Sequence, residues 1–215
     1  MHEPGPITSH LAAADTPELV RAPKATFLSV GGSGRPGTEA FYRKMAFVTA
    51  MKAALPGALR MSPSDACVIE ILYGYPKQAK SVEIEDFYTG NSVDLLEYRI
   101  TTRVADSITH NAIVSARHDA AGNADDPGGE VELFTLPDSL VVQVMHHGPF
   151  KNEFETLARL GAFAREKGLR RAGPHREIHI DPFTAQTPQD ALRTILRDPV
   201  AWPAGLTDDH GRSPQ

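Results

Sequence analysis

Ser139-Leu140-Val141-Val142-Gln143-Val144-Met145-His146-His147-Gly148-Pro149-Phe150 decides how the chain folds. Residues 139–147 form a strongly β-forming run, and Gly148-Pro149 then turns the chain. A helix signal follows: Asn152 as N-cap, Glu153 and Glu155 in the positively polarised first turn, and Phe154, Leu157, Ala158 and Gly161 on one packing face before Lys167-Gly168 ends it. His175 to Asp181 then reads as another strand.

The upstream half has the same plan. Ala25 to Val30 is a short apolar strand that runs into the glycine-rich turn Gly31–Gly37. Thr38 caps a helix whose core-facing positions are Phe41, Met45, Val48 and Met51, and Leu55-Pro56-Gly57 stops it. Ala66 to Tyr73 and Leu95 to Val104 read as strands, with Gly74 to Asn91 between them unassigned. Glu70-Ile71 in the first half stands where Glu177-Ile178 stands in the second. The expected fold is therefore α+β, with two similar strand–helix–strand halves and a groove between them as the ligand site. Ala116 to Glu130, rich in Gly, Asp, Asn and Ala, reads as a flexible connector. Thr187-Pro188-Gln189-Asp190 reads as the opening of a short terminal helix reaching about Leu196.

Composition limits the function. The 215 residues are 41% hydrophobic and 23% charged, as in an ordinary globular protein. A net charge of -5 argues against gripping a phosphate backbone, so nucleic acid is not an expected partner. Cys67 is the only cysteine and the start of the chain lacks a secretory pattern, which together suggest a cytoplasmic protein. No apolar run is long enough to span a membrane. Residues 1–14 and 205–215 read as tails, and 15–204 as a single domain whose pseudo-repeats cover about 25–115 and 131–200.

In the His175–Asp181 strand, alternation sends Ile178 and Ile180 into packing and places His175, Glu177, His179 and Asp181 on the other face. The plainest reading of that row is a solvated face. A metal site built from it with His146 and His147 matches none of the helical zinc spacings, and the zinc-deaminase pattern needs two further cysteines. No Gly-x-Ser-x-Gly elbow is present, and Cys67 lies in an apolar strand as an inert thiol. Gly31–Gly37 lacks the Gly-Lys-Ser/Thr ending of a phosphate loop. No metal or cofactor is expected.

The segments His146–Phe150, His175–Pro182 and Leu192–Val200 resemble the C-terminal half of stand-alone GyrI-like domains. Pro17–Val20, the Gly32–Pro36 turn with Phe41 beyond it, and Glu70–Tyr73 match in order, so the likeness spans roughly residues 15 to 200. It implies duplicated β-α-β-β halves forming an antiparallel sheet with helices on one side, and a central cleft for bulky hydrophobic or cationic compounds. Glu177 matches the acid of that cleft, and Tyr73 matches an aromatic position of the pocket. Some relatives carry a helix-turn-helix module, for which the segment before Ala25 is too short. Some stand-alone relatives are cyclopropanoid cyclopropyl hydrolases, which open the cyclopropane of DNA-alkylating natural products with water. His179 stands where the family usually has tyrosine, and Arg176 where histidine is common. The expected site is Glu177 as the catalytic group, with Tyr73, His146, Phe150, His175, His179 and Trp202 contacting a hydrophobic aromatic small molecule. The alternative is a non-catalytic multidrug-binding protein.

Overall fold

The structure is a computed structural model that describes residues 6–61, 68–122, 124, 126–128 and 130–203. Cys67 and residues 205–215 lie outside them. Nine strands form one antiparallel sheet: β1 (Glu18–Ala22), β2 (Ala25–Ser33), β3 (Ile69–Gly74), β4 (Glu97–Val104), β5 (Val131–Leu136), β6 (Ser139–His147), β7 (Arg170–Arg171), β8 (His175–His179) and β9 (Arg193–Ala201). Their spatial order is β1-β6-β9-β8-β3-β4-β2-β5, with β7 paired beside β9. Three helices accompany them: α1 (Glu39–Ala54), α2 (His110–Ala121) and α3 (Glu153–Glu166). The order β-α-β-β occurs twice, as β2-α1-β3-β4 and as β6-α3-β8-β9, the second interrupted by the two-residue β7. The two sets of strands meet where β3 pairs with β8.

The local signals act as the sequence suggested at α1. The Thr38 hydroxyl accepts the Phe41 amide, and Phe41, Met45, Val48 and Met51 are buried against the sheet. Gly34 and Gly148 follow their strands with φ of 94° and 102°, a left-handed backbone that glycine adopts without a Cβ clash.

Elsewhere the structure corrects the reading. Residues 110–121, partly assigned to a connector, are the helix α2, capped by Thr109 and packed on α1. Residues 193–196, assigned to a terminal helix, belong to the long strand β9, because Arg193–Ala201 finds β6 on one side and β8 on the other. The inner face of α3 is Glu153, Thr156, Leu157, Leu160, Gly161 and Ala164, whereas Phe154 is 51% exposed. Asn152 makes no side-chain cap bond.

Glu70 and Glu177 are not equivalent. In the register Glu70 opposes Ile178 and Glu177 opposes Ile71, so the two acids project from opposite faces of the sheet. A two-fold axis perpendicular to the sheet would keep each residue on its face, which rules out the Glu70–Glu177 correspondence. Glu177 faces the helices. Glu70 faces the back, where Arg176 donates to it from Nε at 2.7 Å and from Nη2, and where the His10 imidazole is its other partner. Residues 6–14, expected as part of a tail, lie across this back face: the Met145 amide donates to Ala14 O, Gln143 to Ala12 O, and Arg197 to His10 O.

Candidate functional site

Glu177 occupies the middle of β8, a strand whose five residues are all buried because β9 and β3 flank it and both faces are covered. It is 4% exposed, so the solvated-face reading of this row fails. Three donor-bearing side chains converge on its carboxylate. The Tyr88 hydroxyl donates to Oε1, His175 Nε2 lies 3.7 Å from Oε1, and His179 Nε2 lies 3.3 Å from Oε2. The two imidazoles make charge contacts rather than aligned hydrogen bonds through those nitrogens. His179 Nδ1 is 3.4 Å from the Thr194 hydroxyl, and His175 Nδ1 is 2.8 Å from Asp198 Oδ2. Burial pushes the Glu177 carboxyl up, but the donor capacity and charge of His175 and His179 outweigh it and hold the pKa well below the usual carboxylate range.

A second acid faces the first. Glu153, the first residue of α3, is 3% exposed, and burial followed by the charge of Glu177 pushes its carboxyl well above the ordinary range. The two acids are pushed in opposite directions because Glu177 has the better set of donors, which favours its ionised form and the neutral form of Glu153. An ionised and a neutral carboxyl therefore stand side by side, an arrangement suited to paired base and acid work.

Above them is a cavity of about 630 Å³. Its walls include Phe41 and Tyr42 from α1, Tyr73 from β3, Tyr88 from the loop before β4, Phe150 before α3, and Phe183 after β8. A second space of about 950 Å³ continues the cleft along α1 and shares Tyr42, His179 and Phe183 with the first. Both volumes are in the range of small-molecule sites. Phe183 packs against His179 at 4.6 Å and Phe150 at 4.9 Å between ring centroids and lines both spaces as an aromatic partition. Among the described residues no cluster of His, Cys, Asp and Glu is arranged to hold a metal ion.

Of the residues singled out in the sequence, Glu177, Tyr73, Phe150 and His179 line the cavity together. The other three do not. His175 is fully buried behind Glu177 among Phe87, Tyr88 and Asp198. His146 is turned beneath α3, bonded to the Thr156 hydroxyl at 2.9 Å and to Pro149 O. Trp202 packs against the main core instead of the cavity. Sequence reasoning missed Tyr88 and Glu153. The aromatic pair Phe87-Tyr88 inside an otherwise polar loop was the available signal for the first. Glu153 resembled an ordinary first-turn acid, and nothing local distinguished it.

Residues 96–200, which span β4 through β9 and carry Glu153 and Glu177, match the family described as the GyrI-like small molecule binding domain. Residues 96–200 are thus similar to a GyrI-like domain. No curated protein matches the chain. Among solved structures, a conserved protein of Listeria innocua is 23% identical with a TM-score of 0.66, over 88% of this chain and 94% of its own. A Listeria innocua protein described as a hydrolase is 22% identical with a TM-score of 0.61, over 89% and 94%. The EcmrR C-terminal domain is 15% identical with a TM-score of 0.58, over 87% and 98%. At these identities the likeness is one of fold, and it reaches past the matched segment to the strands and helices of the first half. A cavity of this size is in keeping with the small-molecule binding for which that family is described. Among the described residues no helix is long and apolar enough to cross a membrane.

Proposed function

We propose that this GyrI-like protein detoxifies hydrophobic aromatic electrophiles by adding water, as a cyclopropanoid cyclopropyl hydrolase does. The observation that carries the reading is the pair of buried carboxyls, Glu177 and Glu153, at the floor of an aromatic-walled cavity, with surroundings that hold the pKa of the first down and push that of the second up. In the reaction, Glu177 takes a proton from water as its oxygen bonds to the strained ring carbon. The ring carbon–carbon bond breaks, its electron pair flows into the conjugated ring, and Glu153 delivers a proton to the oxygen that gains charge. Proton return from Glu177 to Glu153 restores the starting state, so the balance is one substrate and one water to one hydrate. The depressed pKa makes Glu177 a weak base in the empty site; its strength as a base rises as a ligand displaces water and disturbs its donors. One neighbour of the same fold is described as a hydrolase, in keeping with this reading.

A second reading draws on the same ionised carboxylate among aromatic rings: a non-catalytic binding protein in which Glu177 is the counter-ion of a cationic aromatic ligand. The variant Glu177→Gln separates the two. Under the hydrolase reading, turnover of a cyclopropane-bearing aromatic dienone falls by roughly 10²- to 10⁴-fold while a neutral aromatic still binds. Under the counter-ion reading the wild type returns the dienone unchanged, and the variant loses affinity for a cationic aromatic only. A variant equal to wild type in all three assays rejects both.

A further inference from the structure

Asp198 stands outside the cavity, yet it is fully buried, and its neighbourhood leads straight to Glu177. It lies on β9, one step beyond the Arg176–Arg197 pair, which sets it beside His175 at the start of β8. The separation of 2.8 Å between His175 Nδ1 and Asp198 Oδ2 makes Nδ1–H the donor, and the ring then presents Nε2 toward Glu177. The other oxygen, Asp198 Oδ1, is buried with no hydrogen-bond partner. A carboxylate so isolated from water is costly unless a positive charge accompanies it.

We infer that Asp198 is a positioning residue for the cleft: through His175 it fixes the imidazole that faces Glu177 and thereby the state and aim of that carboxylate. The inference rests on Glu177 being the functional group of the cleft.

The groups facing His175 come from every element around it. Asp198 is on β9, Glu177 on β8 and Tyr73 on β3, where its ring is stacked at 6.5 Å; Phe87 and Tyr88 approach from the loop, at 4.8 and 5.9 Å. Among the described residues in contact with His175 the charged groups are the two carboxylates, with Arg171 on the Phe87 ring beyond. Burial lowers the imidazole pKa, but Asp198 first and Glu177 second raise it further, to about 9. The imidazole thus stands between two carboxyl groups that favour its charged form. A neutral ring would leave two buried anions with no cation between them. Asp198 acts on the ligand at second hand, as the outer partner that fixes a histidine's proton and orientation.

The test uses the full chain and two measurements. In the wild type, nitrogen-detected NMR of the His175 ring is expected to show titration near pH 9; a ring that titrates below pH 7 overturns the inference without any variant. In Asp198→Asn the ring titration is expected to drop by more than one pH unit. The acid limb of binding for a cationic acridinium dye, or of dienone turnover, should move up by at least one unit. Asp198→Glu, which restores a carboxylate, should recover the wild-type limb. An Asp198→Asn protein that melts lower but keeps the wild-type ring titration and pH limb would show a purely structural role and overturn the inference. Failure of the Glu177 reading is separate: it appears as unchanged binding and turnover in Glu177→Gln, whatever His175 does.

Discussion

Gly161 on α3 stands directly against Glu85, in the loop that carries Tyr88. A Cβ added at Gly161 would come within 2.8 Å of the Glu85 amide nitrogen, a contact with backbone that no side-chain rotation relieves. The absence of a side chain there lets residues 82–88 dock on α3, with Val82, Ile84 and Phe87 buried, and brings the Tyr88 hydroxyl to Glu177. Gly161→Ala is therefore expected to cost about 1–3 kcal/mol by overpacking and to lower the melting temperature by about 2–4 °C per kcal/mol. Ligand affinity should fall along with it, because Tyr88 moves with the loop. A melting curve and dye binding check both; unchanged values in both assays would contradict the docking described.

Glu153→Gln tests the protonation of the acid pair. Glutamine copies the shape and neutrality of a protonated carboxyl and removes the cost of taking up a proton on folding, so the melting temperature should rise at pH 7 and the gain should shrink as the pH falls toward 4.5. Turnover of the dienone should drop by roughly 10²- to 10⁴-fold, since glutamine has no acidic proton to deliver. If Glu153 were instead ionised in the folded protein, the gain in melting temperature would stay the same between pH 7 and pH 5.

The back of the sheet makes the protein sensitive to acid. Burial raises the Glu70 pKa, but Arg176 and His10 outweigh it and hold it well below its ordinary 4.5. Its contribution is thus complete above about 4.5 and fades as the pH falls. Burial lowers the His10 pKa below its ordinary 6.5, so acid drives protonation in the unfolded chain first and removes stability in the same direction. Urea midpoints should fall from pH 7 to pH 4, first through His10, and fall further below pH 4.5 through Glu70; Glu70→Gln should flatten the part below pH 4.5 while costing about 3–5 kcal/mol at pH 7 by stranding Arg176. A midpoint that stays level between those two pH values in the wild type would refute the assignment.

Cutting the chain between α2 and β5 should not release two folded pieces. β1 pairs with β6, β2 with β5 and β3 with β8, so the fragments on either side of the cut remain joined through three ladders. Limited proteolysis followed by sizing chromatography should show two bands under denaturing conditions and one native peak. Two native peaks of folded fragments would count against it.

The parts of the fold that were legible in the sequence are those where local pattern and burial coincide. α1 is capped by Thr38 and displays its core residues at helical spacing, and β6 is a continuous apolar run. β9 escaped because its charges mimic a surface segment: Arg197 and Asp198 are buried, each hydrogen-bonded to a partner on another strand, Gln143 and His175 respectively. The Thr-Pro-Gln-Asp signal before it marks a turn instead of a helix start. α2 was obscured by the glycines and acids that follow it. In the site, alternation located Glu177 and His179 on one face, but it could not tell a solvated face from a buried one. That distinction depends on α3 and the Tyr88 loop arriving from distant parts of the chain. The same limitation hid Glu153 and made Glu70 look like a counterpart of Glu177.

The continuous ladder through β3 and β8 has a consequence for the range of ligands the cleft can accept. Every backbone step beneath Glu177 is tied to neighbours on both sides, so the floor behaves as a stiff plate and cannot spread to admit a wider molecule. Adjustment in size falls to what stands on that plate: α1 and its side chains, the Tyr88 loop, and the segment carrying Phe183, which lies outside the strands. Ligands of different bulk should therefore meet the same carboxylate at the same depth while the aromatic walls shift around them.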